Sequence, residues 1–179
     1  MKRRGFLAIA FCAGALLPLT VAAQNWRDPG QHFFQPLLGD LTVELKQAAQ
    51  EGKKGLLLIF EMDECPFCDR LHRTALREVV VQDYFRQKFA AFKIDLRGGT
   101  PLVGFDGRES TESGFAVQQK VRATPTSVFY DLSGKEVARF AGTPRDRQEF
   151  LQWGDYVARG KYQSMSFVEF RRATATPSQ

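Results

Sequence analysis

Cys65 and Cys68 stand two residues apart in the stretch FEMDECPFCDRLH, after an apolar run and before a segment patterned as a helix. Cysteines at this spacing serve as a structural staple, as half of a metal site, or as a dithiol that opens and closes disulfides in other proteins. A ring this short removes little entropy from an unfolded chain, so a staple contributes little beside a sizeable core. Zinc needs four ligands, and beyond the pair only His32 and His72 offer nitrogen. Haem attachment requires His directly after the second cysteine, where Asp69 stands. Redox chemistry fits best. At a helix start, unpaired N–H groups and the positive dipole end favour a thiolate at Cys65, which is expected to be the exposed member. Cys68, one turn on and more buried, shares its face and can displace a mixed disulfide, closing the Cys65–Cys68 ring.

The N-terminus bears on the compartment of that chemistry. Lys2, Arg3 and Arg4 form a basic head, Phe6 to Leu17 an apolar stretch short for a bilayer, and Val21-Ala22-Ala23 a small-residue cleavage signal. Residues 1–23 therefore read as an export signal, cut before Gln24, rather than as a retained anchor; no stop-transfer pattern follows. Phe11 before Cys12 argues against a lipid attachment site. Removing the signal takes Cys12 and three basic residues, lowering the formal charge from +5 to +2. No basic cluster then points to nucleic acid or anionic lipid, and no membrane insertion is expected once the signal is gone. The cysteine count becomes even, which pairs Cys65 with Cys68. The expected organisation is one domain over 24–172 and a loose tail over 173–179.

The elements around the pair follow from periodicity. Asp40 is placed to cap a helix through Gln50, with Leu41, Leu45, Ala48 and Ala49 on one face and Gly52 and Gly55 ending it. Leu56 to Phe60 reads as a strand buried on both faces, with the cysteines at its exit. A helical pattern runs from Pro66 through Leu71, Ala75, Leu76 and Val79 to Tyr84, Phe85 and Phe89, and Phe89 to Leu96 reads as a strand. Gly98 to Ser113 is a loop or small hairpin, followed by a helix from about Glu112 to Val121. Thr126–Leu132 and Lys135–Ala141 form a hairpin across Ser133-Gly134. Thr143 is the expected cap of the next helix, and Ser166 with Glu169 a capping box for the last. This order predicts an α/β fold: a central mixed sheet, parallel in its first two core strands and antiparallel in its last two, covered by helices on both faces.

A second signal lies far from the first. In Ala123-Thr124-Pro125-Thr126, a proline at a strand entrance is where a cis bond sets a loop beside a site, though most such prolines are trans. With both signals, the chain resembles the thioredoxin superfamily, and more closely its exported SoxW-like members. The resemblance rests on Leu56 to Glu61 before Cys-Pro-Phe-Cys, on VRATPTSVFYDLSGKEVARFAG from Val121 to Gly142, and on YVARGKY. It spans about Gln31 to Phe170. It implies a thioredoxin fold with an extra N-terminal helix and a loop insertion before the cis-proline helix. It also implies a cis Pro125 packed against the cysteines and a Thr124 backbone offered to a substrate strand, which makes Pro66, Phe67, Thr124 and Pro125 the expected substrate contacts.

One departure is chemical. Where ordinary thioredoxins bury an Asp and a Lys, this chain aligns Ile59 and Ala91. The joint loss is consistent, because a buried carboxylate is costly without its cation, but it removes the usual acceptor for the Cys68 proton. Glu61, on the same strand face as Ile59, is the substitute read from the sequence, the other reading being a solvated carboxylate at a strand end. His72, one helical turn past Cys68, reads as a solvent-facing helix residue, the other reading being a ring that points inward and influences that sulfur. Phe67 adds no positive charge beside Cys65, so the expected direction is reduction of protein disulfides, with electrons from a membrane thiol–disulfide donor. Oxidase or isomerase is the runner-up, and a non-catalytic peptide-binding module the alternative of another class. No organic cofactor or metal is implied.

Overall fold

In β1, Leu56–Glu61, every residue is buried, because the strand lies inside the sheet with helices packed on both its faces. Successive side chains alternate between two cores: Leu57 and Ile59 enter one, Leu56, Leu58 and Phe60 the other. The computed structural model describes residues 25–175; the expected signal and the last four residues of the expected tail lie outside them. β2, Ala90–Asp95, runs parallel to β1, while β5, Thr126–Tyr130, pairs antiparallel with its other edge and β6, Glu136–Ala141, with β5. The strand order β2-β1-β5-β6 is the expected mixed sheet. The insertion forms a separate hairpin of β3, Pro101–Val103, and β4, Glu109–Thr111.

One face is covered by α2, Leu41–Gln50, and α5, Glu112–Gln118. The other carries α3, Pro66–Leu71, its continuation as a π-helical turn over His72–Leu76, α4, Val79–Lys88, α6, Arg147–Ala158, and α7, Phe167–Ala175. A short α1, Pro29–His32, precedes them. The extra N-terminal helix is α2, capped by Asp40, whose Oδ1 accepts from Thr42 N at 2.8 Å and Val43 N at 3.3 Å. Among the described residues no helix is long and apolar enough to cross a membrane.

Four expectations are corrected at element edges. In α2 the buried stripe is Leu41, Glu44, Leu45 and Ala48, while Ala49 faces out; Glu44 is accommodated because its Oε1 accepts from Leu38 N at 3.0 Å. The helical pattern from Pro66 to Phe89 breaks at Arg77-Glu78. There the N-terminal segment crosses it, Arg27 N donating to Arg77 O at 2.8 Å and Val79 N to Asn25 O at 3.2 Å. Asp146, not Thr143, caps α6, accepting from Glu149 N at 2.8 Å. The tail expected to be loose from 173 is helical through Ala175, started by the Ser166–Glu169 capping box and held by Thr174 Oγ1, which donates to Phe170 O at 3.1 Å.

Candidate active site

The chain leaves β1 at Glu61, turns through Glu64 with a left-handed φ of 55°, and enters α3 at Cys65. Pro66 takes the first helical position, where its missing N–H leaves no bond unmade. Cys65 is itself the N-cap: its Sγ accepts from Cys68 N at 3.2 Å. The two cysteines form a disulfide with their Cα atoms 5.2 Å apart. The expected contrast in burial is absent, Cys65 being 3% exposed and Cys68 4%. The loop before β5 closes over the first sulfur, setting Thr124 Oγ1 3.3 Å from Cys65 Sγ. Pro66 is exposed, and Phe67 is 61% exposed at the rim.

That loop is set by the sheet. Register places Thr126 opposite Phe60, which brings the residues before β5 alongside the residues after β1. The Thr124–Pro125 bond is cis, as the resemblance implies. Pro125 is buried, its carbonyl accepting from Gly142 N at 2.7 Å. The Thr126 hydroxyl donates back to Ala123 O at 2.7 Å. From the next loop, Thr143 Oγ1 donates to Phe67 O at 2.9 Å. The residue read as a helix cap instead ties the intercysteine dipeptide to the end of β6, a tertiary contact that no local pattern in the sequence signals.

Ile59 and Ala91 lie in the apolar core, without charge. Glu61 is buried, and both its carboxylate oxygens lie beside His72 Nε2, at 2.8 and 2.9 Å. His72 therefore does not face solvent as expected: it lies four residues past Cys68, on the same side of the helix, with its ring 5.8 Å from that of Phe34. Its spacing from Cys68 was the available signal. Glu61, His72, Cys65 and Cys68 share the lining of one cavity of 410 Å³. A larger hollow of 1050 Å³, beside Tyr84 and Arg147, has no cysteine in its lining and is not where the sulfur chemistry lies.

The family model for the thioredoxin-like domain matches residues 41–158, from α2 to the end of α6. The chain belongs to the thioredoxin-like family. Among solved structures, this thioredoxin-like protein is similar to a thioredoxin-fold protein from Helicobacter pylori, at 24% identity over 69% of this chain and 80% of that one, with a TM-score of 0.56. It is also similar to a DsbH oxidoreductase, at 18% identity over 77% and 93% of the two chains, with a TM-score of 0.55. These two likenesses are of fold alone. It is similar too to a putative disulphide-isomerase from Bacteroides thetaiotaomicron, at 25% identity over 74% and 94% of the two chains, with a TM-score of 0.53. No curated protein matches the chain significantly. A thioredoxin-like domain carrying the Cys65–Cys68 pair is a thiol–disulfide oxidoreductase.

Proposed function

We propose that this thioredoxin-like protein is an exported, periplasmic reductase of protein disulfides, similar to SoxW. The reading is carried by one observation: Cys65 Sγ caps its own helix and touches Thr124 beside the cis Pro125. In the reduced protein the donors around that sulfur stabilise a thiolate. The Cys65 thiolate attacks a client disulfide, and Cys68 resolves the mixed disulfide, with Glu61 as acceptor for its proton. A client strand lies along the Thr124 backbone, against Pro125, Pro66 and the exposed Phe67. The redox-active disulfide serves in place of any cofactor, and a membrane thiol–disulfide donor regenerates the dithiol. Clients in sulfur-compound oxidation or cytochrome maturation fit the SoxW resemblance.

Insulin reduction tests the reading: the wild type turns over, and Cys65→Ser and Cys68→Ser do not. A peptide-binding module gives no turnover in any form. The similarity to a putative disulphide-isomerase favours a second direction for the same chemistry, and the equilibrium potential against glutathione separates them. The reductase reading expects a value between about −270 and −120 mV, nearer the first. A value above about −150 mV overturns it.

A further inference from the structure

We infer that His72 is a positioning residue for the resolving step, holding the Glu61 carboxylate and exchanging protons with solvent so that Glu61 receives the Cys68 thiol proton. The inference rests on the dithiol reading of Cys65 and Cys68 and adds to it a residue that does not itself touch the reacting sulfurs.

Three observations carry it. The Glu61 side chain is 8% exposed and the His72 side chain 31%, so the pair runs from the interior to the surface. Both carboxylate oxygens face one ring nitrogen, at 2.8 and 2.9 Å, and the pair lines the same cavity as Cys68. His72 also opens the π-helical turn His72–Leu76, and π turns recur at functional sites. An ion pair serving the fold alone has no need to open onto the disulfide cavity. Asp63 and Glu64 from the β1–α3 loop, Asp69 and Arg73 from the helix, and Lys93 and Asp95 from β2 also face this cavity. A pH effect therefore has to be assigned by substitution at the pair itself.

The step balances. Cys68 gives its proton to Glu61 while its sulfur bonds to Cys65 Sγ of the mixed disulfide; the Cys65–client bond breaks, and the client sulfur leaves as a thiolate that takes a proton from solvent. The dithiol loses two electrons and the client disulfide gains them. The proton then leaves Glu61 for solvent by way of the His72 ring, which meets the carboxylate through Nε2 and reaches the surface.

The experiment is stopped-flow reaction of the reduced protein with an aromatic disulfide, Ellman's reagent. One thiol equivalent is released as Cys65 attacks and a second as Cys68 resolves. Glu61→Gln and His72→Gln should slow the second phase about tenfold or more at neutral pH and leave the first within about twofold. The gap should close as alkaline pH forms the Cys68 thiolate unaided. His72→Gln keeps an amide N–H for Glu61 but cannot relay a proton, so it should match the wild type in urea midpoint while remaining slow. A second phase within about twofold of wild type in a folded variant overturns the inference, as does equal slowing of both phases at every pH. Glu61→Gln decides alone if His72→Gln does not fold. Failure of the dithiol reading looks different: the wild type gives no first phase, or Cys68→Ser retains no mixed disulfide.

Discussion

Cys65 Sγ lies 3.3 Å from the Thr124 hydroxyl, across 59 residues of sequence. The contact exists because β1 and β5 are neighbours in register, with Phe60 opposite Thr126, so the loops leaving one strand and entering the other meet at one end of the sheet. With Cys68 N at 3.2 Å, the sulfur that caps α3 has donors on two sides. The same loop that supplies one of them keeps Cys65 buried, which places access to the disulfide at the rim formed by Phe67 and Thr124.

Removing the hydroxyl isolates its share. Thr124→Val keeps the branched shape beside Pro125 and deletes the donor, worth about 1 kcal/mol or roughly fivefold in thiolate reactivity. Alkylation of the reduced protein at neutral pH should slow at Cys65 by about that factor, and Thr124→Ser should restore it. An unchanged rate in the valine variant means that the threonine does not donate to the sulfur.

The two residues at the start of α6 divide capping from tethering. Asp146→Ala removes the N-cap and should lower unfolding free energy by about 1 kcal/mol, read from urea titration, with little change at the cysteines. Thr143→Ala leaves that cap intact and frees the Phe67 carbonyl, so its larger effect should fall on amide exchange of Phe67 and Cys68. Equal loss of stability and no change in exchange in the Thr143 variant contradicts the assignment.

The parts legible in the sequence were those decided locally. An unbroken apolar run before Cys65 marks a strand buried on both faces, and Ser166 with Glu169 marks a helix start because the bonds close within one turn. What escaped depends on distant partners. The break at Arg77-Glu78 is made by Asn25 and Arg27 crossing the helix, and the inward aim of His72 is settled by Glu61, eleven residues away on β1. Thr143 looked like a cap because caps and tertiary tethers use the same hydroxyl, and only the position of Phe67 distinguishes them.

Glu44 gives the fold a pH dependence of known sign. Burial holds its carboxyl above the ordinary value of 4.5, against the lowering effect of the bond from Leu38 N. A carboxyl whose folded value is raised contributes stability that is fully present below its unfolded value and is lost as pH rises through the folded one. Wild type should therefore lose stability relative to Glu44→Gln, which keeps an oxygen for Leu38, between about pH 4 and neutrality. Urea midpoints of the pair that stay parallel across that range contradict the burial argument.

Gly55, just before β1, tests how closely the strands that carry the site must approach. Its φ is +152°, and a Cβ built there meets Tyr130 O at 2.0 Å and Tyr130 C at 3.0 Å. Gly52, at φ +71°, has nothing within 4 Å of such a Cβ, so Gly52→Ala incurs conformational strain alone, about 1–2 kcal/mol. Gly55→Ala adds overlap with backbone that cannot turn aside, and should cost about 3 kcal/mol or more in urea unfolding. Relief requires β1 to move away from β5 at the end opposite the cysteines, a shift that pivots Cys65 relative to Thr124. Gly55→Ala should therefore also slow alkylation of Cys65 in the reduced protein, whereas Gly52→Ala should leave that rate within about twofold. Similar costs for the two variants would show that β1 and β5 can separate locally without strain.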